Sequence, residues 1–428
     1  MRKKKLRIGL LGVGRGHIIC DYCTKVGKDV QLVAICDKWE EGLEKTKNEL
    51  KDDSIAYYTD FDEFLKHDFD MVFLANYATE HAPFAIKAMK AGKDVASEVL
   101  PVQTMAEAVE LIETVEKTGK KYCYAENYCY MLGPIEMKKH FANGDLGEFE
   151  YGEGEYMHNC EDIWYEITHA DPRHWRNNMS AFFYCTHSVG PLLHLSGQRP
   201  VKVVGMEGPF TSRMARMGAK AGAYAVELAT LENGSVIKSL HGVAPSKNSV
   251  WYSVYGAEGR METAREDASF SDAECQGTKT VYINRTISDI EGEYETRAYS
   301  PEIDLDADIF SFGHAGSDVI CLHNIFEYML GNETADIIDV YEAIDMWMVG
   351  FFGYLSAIED GNSQYIPDLR LKEKRDKYRN DRCCTDPSVA GEQLLPSYSK
   401  GNPAIAPEVY GEVKRRWEEQ QERKKEKE

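Results

Sequence analysis

Three groups of residues in this sequence have types and spacings that suit chemistry. The first is Gly12-Val13-Gly14-Arg15-Gly16-His17, which follows the apolar run from Leu6 to Leu11 and precedes a helix-compatible segment from Ile18 to Val26. Strand, glycine turn and helix in that order let the backbone approach a pyrophosphate and hold it with free N–H groups at the positive helix end. His17 takes the third position of this fingerprint, where glycine or alanine is usual. The second is Asp37, which ends the buried-strand run Gln31 to Cys36. It stands close to the ~20 residues past the glycines at which an acid meets an adenosine ribose, and its carboxylate favours NAD over NADP, whose 2′-phosphate it would repel. The third is the stretch from Tyr156 to His194, with His158, His169, His174, His187 and His194 beside Trp164, Tyr165, Arg173, Trp175, Arg176 and Tyr184. Aromatic faces stack on sugar C–H groups while Arg and His bind hydroxyls, as in apolar pockets that carry a few fixed polar groups. His, with a reference pKa near 6.5, is the natural general base; a Tyr, near 10, needs a neighbouring cation.

The elements that must position these residues alternate regularly at first. Phe69 to Ala75 reads as a strand, His81 to Ala91 as a helix, Lys93 to Glu98 as a strand, Met105 to Thr118 as a helix and Lys121 to Ala125 as a strand. Parallel strands joined by helical crossovers make a doubly wound sheet, an α/β Rossmann arrangement. Ligands bind beyond the carboxyl ends of such strands, here Gly12 to His17, Asp37, Asn76 to Thr79, Glu98, and Glu126 with Asn127, so these places should face one cleft. From residue 126 the runs Glu148 to Tyr156, Val201 to Glu207, Tyr224 to Leu231, Val236 to His241 and Val250 to Tyr255 suggest an α+β domain with a mostly antiparallel sheet. The expected organisation is a nucleotide domain over 1–125, a substrate and oligomerisation domain over 126–366, and a polar extension over 367–428. Val319 to Leu330 and Val340 to Ala357 read as packing helices, and Val413 to Glu428 as a charged, solvated helix.

Composition narrows the function classes. With 428 residues, 43% hydrophobic and 11% aromatic, the chain can bury a large core and is not dominated by disorder. Fifty basic against 71 acidic residues give a net charge of -21, which repels a phosphate backbone, so nucleic acid is a poor partner. No apolar run approaches the ~20 residues of a membrane span, and Met1 to Lys5 lacks the pattern of a secretory signal. Eleven cysteines without a regular framework fit a reduced, cytoplasmic setting. His158 with Cys160, or His169 with His174, would offer metal ligands, but no His-Glu-x-x-His or carboxylate cluster completes a sphere, and no metal is expected.

In order along the chain stand the Gly12–Gly16 turn, Ile35-Cys36-Asp37, Thr79-Glu80-His81, Ala88 to Val95, Glu98 before Pro101, Ala125-Glu126-Asn127-Tyr128, Gly147-Glu148, Tyr255 to Gly259 and His314 to Asp318. In this order they resemble the Gfo/Idh/MocA family of NAD(P)-dependent sugar and cyclitol oxidoreductases. The resemblance implies NAD held by Gly12, Gly14, Arg15, Gly16, His17, Asp37, Asn76, Thr79, His81, Glu98 and Asn127. It implies a sugar or glycoside met by Glu126, Trp175, Arg176 and His314, and a homo-oligomer formed through the second sheet. That family usually carries Glu-Lys-Pro where this chain has Glu98-Val99-Leu100-Pro101, so the lysine beside the nicotinamide is missing and another group must take the hydroxyl proton. His174-Trp175-Arg176 followed by Tyr184-Cys185-Thr186-His187-Ser188-Val189-Gly190-Pro191 resembles a narrower branch, the NAD-dependent α-N-acetylgalactosaminidases, described as cleaving glycosides through transient oxidation at C3. By that resemblance Tyr184 and His187 sit at the reacting hydroxyls and Tyr156 transfers the C2 proton. The expected activity is NAD-dependent hydride transfer at a sugar carbon; redox-assisted glycoside hydrolysis is the alternative, and a non-catalytic NAD-binding sensor a third.

Overall fold

The computed structural model describes residues 5–243, 247–265, 276–287, 293–303, 305 and 312–425. The lead-in Met1 to Lys4 and the last three residues of the charged helix lie outside them. The described chain forms two compact units, each assembled from separated stretches of sequence: 1–130, 303–344 and 369–381 in the first, 131–302, 345–368 and 382–428 in the second.

The first unit holds six strands: β1 (Leu6–Leu11), β2 (Val30–Cys36), β3 (Ala56–Tyr58), β4 (Met71–Leu74), β5 (Asp94–Ser97) and β6 (Tyr122–Tyr124). They pair in the order β3-β2-β1-β4-β5-β6, parallel throughout. Ile8, Leu10, Met71, Val72, Leu74, Val95 and Ala96 are all buried, because helices cover both faces and leave no polar side to alternate with. The crossover helices His81–Lys90 and Met105–Thr118 lie where the sequence places them; the second opens on a capping box between Thr104 and Glu107 and closes on Gly119 at φ 63°. The short β3 has no apolar run to announce it.

This unit also takes back two later stretches. Helix Ser317–Met329 packs there with Ile320, Leu322, Ile325 and Phe326 buried. Arg375, fully buried, forks onto Glu116 at 2.6 and 2.8 Å and donates to the Leu369 carbonyl. Cuts at 125 and 366 therefore differ from the observed division, since side-chain burial and a buried ion pair return 303–344 and 369–381 to the nucleotide unit.

The second unit is built on nine strands: β7 (Phe149–Met157), β8 (Pro200–Glu207), β9 (Tyr224–Leu231), β10 (Val236–Gly242), β11 (Ser249–Gly256), β12 (Gly259–Thr263), β13 (Val281–Thr286), β14 (Tyr294–Tyr299) and β15 (Gln364–Tyr365). Their order is β14-β13-β12-β11-β7-β10-β9-β8-β15, antiparallel except for β7 against β10. The backbone of β7 comes close to helix Thr186–Ser196: a Cβ at Gly154 would stand 1.9 Å from the Ser188 carbonyl oxygen. In β9, Ala225, Glu227, Ala229 and Leu231 face the interior while Leu228 is 49% exposed, the reverse of what hydropathy alone would select. The charged C-terminal helix, Pro407–Lys425, is docked rather than wholly solvated: Tyr410 donates to the Gly218 carbonyl, and Gln420 and Lys424 reach Glu166 at 3.0 and 2.7 Å.

Candidate active site

In the first unit the glycine turn divides its labour by position. Gly12 has φ +96°, and a Cβ there would lie 2.5 Å from the Ala75 carbonyl oxygen, so only glycine fits. A Cβ on Gly16 would meet the Gly12 carbonyl at 2.1 Å and Leu10 at 2.7 Å. Close packing of helix His17–Lys25 on β1 thus rests on Gly16, which frees the third fingerprint position for His17, a half-exposed side chain 3.9 Å from Glu49. Around Gly14 nothing comes within 4 Å of a Cβ position, which leaves that stretch of backbone open to a ligand. Asp37 accepts from the backbone N–H of Val13 at 2.8 Å and of Trp39 at 2.9 Å, tying the turn to the end of β2. Open backbone at Gly14, a tight turn at Gly12 and an acceptor carboxylate at Asp37 fit the pyrophosphate and ribose of NAD.

Arg15 leaves the turn to join a buried polar network. Its guanidinium donates to Glu98 at 2.8 Å and forks onto Asp318 at 2.6 and 3.1 Å. Asp318 also receives Asn127 Nδ2 at 2.8 Å and lies 2.9 Å from His314 Nδ1. Burial pushes the Asp318 carboxyl up, but Arg15 and His314 outweigh it and hold it well below the usual carboxylate range. Three expected site residues, Arg15, Asn127 and His314, therefore meet on Asp318, with Glu98 joined through Arg15; the sequence shows this acid only as part of the run His314 to Asp318. His81 is turned inward: it is 1% exposed, with Nδ1 2.8 Å from the Leu100 carbonyl and Nε2 3.2 Å from that of Asn76, and burial lowers its pKa to about 4. This geometry makes it a brace between β4 and the Glu98–Pro101 loop rather than a group on the ligand's surface. Glu126, fully buried, accepts from the Tyr128 N–H, while Asn76 lies near Glu80 at 3.4 Å and Thr79 is half-buried.

In the second unit the aromatic stretch condenses into one cluster. Tyr156 on β7 and His187, at the start of helix Thr186–Ser196, have ring centroids 4.6 Å apart; Tyr184 stacks on His187 at 5.8 Å and on Trp175 at 6.4 Å. Arg176 lies over both Trp175 and Tyr184, at 4.5 and 5.3 Å, a cation against one indole and one phenol. Tyr252 donates to the His187 carbonyl at 2.5 Å and fixes the helix start. Tyr156, Tyr184 and Arg176 line a pocket whose floor is Trp164, Met179 and Met214, and His241 of β10 forms part of its wall. All five residues expected here, Tyr156, Trp175, Arg176, Tyr184 and His187, come together; His241 was not among them, since a lone His in a strand-like run carries no signal. His194 instead pairs with Lys138 at 2.8 Å. Cys160 lies 3.3 Å from His158, and among the described residues no group of three His, Cys, Asp or Glu side chains is placed to hold a metal ion.

Residues 6–126 match the family model described as the GFO_IDH_MocA oxidoreductase family, NAD-binding Rossmann fold. A Glycosyl hydrolase family 109 protein of Porphyromonas gingivalis is 30% identical over 255 residues, 55% of this chain and 52% of that protein. Glycosyl hydrolase family 109 protein 4 of Phocaeicola vulgatus is 25% identical over 416 residues, 86% of this chain and 78% of the other. This chain spans between 52% and 60% of the length of the first curated relatives it matches. Among solved structures, myo-inositol 2-dehydrogenase from Lactobacillus plantarum shares the fold with a TM-score of 0.63 at 20% identity, covering 85% of this chain and 100% of its own.

Proposed function

We infer that this protein, whose residues 6–126 belong to the Gfo/Idh/MocA oxidoreductase family with its NAD-binding Rossmann fold, is an NAD-dependent enzyme that moves hydride to and from a sugar carbon of a carbohydrate or glycoside. The observation that carries the reading is the Tyr156–His187–Tyr184 cluster with Arg176 beside it, a set of proton-handling side chains in a chain whose other unit has the cradle for NAD. Gly12, Gly14, Gly16 and Asp37 would hold the cofactor, which when bound supplies the acceptor and donor of hydride. Arg15, Glu98, Asn127 and Asp318 would keep the loops around it in place. On the substrate, Tyr184 and His187 would bind and exchange protons with hydroxyls, Arg176 would favour the phenolate form of its neighbours, and Tyr156 would serve the carbon-bound proton next to the oxidised centre.

The second reading, redox-assisted glycoside hydrolysis, is favoured by the Tyr184–Pro191 run, by Val99 in place of the family's lysine, and by the names of the relatives. One experiment separates the two. Purified protein is given free sugars and aryl glycosides with and without NAD, while absorbance of reduced nicotinamide and release of aglycone are followed together. Accumulating reduced cofactor means a dehydrogenase; aglycone without net reduction means the hydrolase; neither signal across the panel refutes both in favour of a sensor. A cytoplasmic homo-oligomer is part of this proposal. It is supported by unbridged thiols such as Cys36, Cys123 and Cys321, and by the outward Tyr224, Leu228 and Met206 of the nine-stranded sheet. Among the described residues no helix is long and apolar enough to cross a membrane.

A further inference from the structure

Behind the pocket wall lies a chain of buried polar groups that the reading above leaves unused. Glu227, Ser239 and His241 are each 1% exposed and Ser188 is fully buried. Strand register brings them together: Ser239 stands opposite Glu227 across β9 and β10, and His241 stands opposite Tyr156 across β10 and β7. Helix Val340–Ile358 closes the far side, where a Cβ on Gly353 would come within 2.9 Å of the Glu227 side chain. Placing an acid here, in a strand whose other inward residues are Ala225, Ala229 and Leu231, costs folding energy that a structural role does not require.

The hydroxyl chain offers the imidazole one tautomer. Ser188 Oγ donates to the Cys185 carbonyl at 2.8 Å and stands 2.7 Å from Ser239 Oγ, which lies 3.1 Å from His241 Nδ1 and also faces Glu227. In the arrangement where Ser239 donates to Ser188 and accepts from Nδ1–H, Nε2 keeps its lone pair. The backbone at Ala181 and Phe182 also borders the ring, and Nε2 makes no hydrogen bond of good geometry among the described residues. Behind Nδ1, at 3.4 Å, lies the Glu227 carboxyl.

We propose that His241 is a general base in this pocket, taking a substrate hydroxyl proton on Nε2, with Glu227 as the positioning residue that carries the compensating charge behind Nδ1. The proposal rests on the hydride-transfer reading. In the step, the O–H proton of the sugar would pass to Nε2 and the C–H hydrogen would leave the same carbon as hydride, for which bound NAD would supply the acceptor, so that a C=O bond forms. The imidazolium is then paired with the Glu227 carboxylate, and the reverse step returns the proton. It would supply the proton acceptor that this chain, with Val99 where the resembled family has lysine, otherwise lacks. The groups facing His241 are Glu227 from β9, Tyr156 from β7, His187 from helix Thr186–Ser196, and Tyr184 and Arg176 across the pocket. Burial raises the Glu227 carboxyl well above its ordinary value and lowers His241 to about 3, so the base form, ionised Glu227 with neutral His241, is populated as pH rises.

The test combines ¹⁵N-histidine NMR of the full-length protein with pH–rate profiles of sugar oxidation for wild type, His241→Gln and Glu227→Gln. The expected result is a neutral, Nδ1-protonated signal at neutral pH that disappears in His241→Gln. Glu227→Gln, which keeps the size and hydrogen bonding of the protonated acid, should bind NAD as wild type does, lose on the order of 10²-fold in turnover, and lose the rise of rate with pH. A signal protonated at Nε2, or a Glu227→Gln profile that keeps its alkaline rise while wild type turns over, overturns the base assignment and leaves hydride transfer standing. Absence of nicotinamide reduction and aglycone release in wild type across the sugar panel removes the reading itself, and the assignment with it.

Discussion

Two neighbouring glycines of the turn, Gly14 and Gly16, give the sharpest test of the nucleotide site. Substituting Gly16→Ala puts a methyl 2.1 Å from the Gly12 carbonyl oxygen, 2.7 Å from Leu10 and 3.3 Å from Ala75. Ordinary carbon contacts begin near ~3.5 Å, so the turn must retreat by more than about 1 Å from β1. Overpacking of this kind costs about 1–3 kcal/mol, and each kcal/mol lowers the melting temperature of a domain of 150–250 residues by about 2–4 °C. Gly14→Ala meets no atom within 4 Å, and Gly14 has no positive φ, so stability should hold or rise by about 0.4–1 kcal/mol through the unfolded chain. Its methyl instead occupies the open backbone face offered to the pyrophosphate, and NAD affinity should fall by about tenfold or more, some 1.4 kcal/mol. Calorimetric melting and titration with NAD read the two quantities separately. Gly14→Ala with wild-type NAD affinity, or Gly16→Ala with an unchanged melt, would refute the division of labour.

The remaining expectations concern charge and proton transfer. Asp37→Ser removes the carboxylate that repels a 2′-phosphate, so the ratio of NADP to NAD affinity, measured by titration, should rise at least about tenfold, and an unchanged ratio would take Asp37 away from the ribose. Arg375→Ala leaves the partly exposed Glu116 with the Tyr341 hydroxyl and Lys372 and should destabilise the nucleotide unit by about 1.5–3 kcal/mol in urea unfolding. Hydrogen bonds from Arg375 hold the Glu116 carboxyl down, to about 2. Its contribution is therefore complete above the unfolded value near ~4.3 and is lost as pH falls towards 2; an acid titration followed by circular dichroism should show that loss in wild type and not in the variant. His187→Ala should keep fold and NAD binding and lose about 10²–10⁴-fold in sugar turnover, whereas unimpaired turnover would remove His187 from the chemistry.

Much of this molecule is legible in its residues because the signals are local. A parallel strand buried on both faces must be apolar throughout, so β1, β4 and β5 stand out, as do the glycine turn and the acid after β2. The crowding of Tyr156, Trp175, Arg176, Tyr184 and His187 within a short stretch marks a polar-aromatic surface before any fold is known. What the sequence leaves dark is set by residues far apart along the chain. Asp318 gathers Arg15, Asn127 and His314 only because helix Ser317–Met329 returns to the first unit. His81 looks like a ligand contact at a helix start, yet burial against two carbonyls makes it a brace.

The order of strands and helices, the nucleotide cradle and the composition of the aromatic cluster were determined by the sequence itself, through periodicity, glycine and local side-chain chemistry. Which face of β9 turns inward was decided by tertiary structure alone. Hydropathy would bury Leu228 and expose Glu227, but the side chains of a strand alternate with a period of two, and one choice of register commits all of them together. The register of β9 with β10, and the close approach of Gly353, put Glu227 inside and set it behind His241.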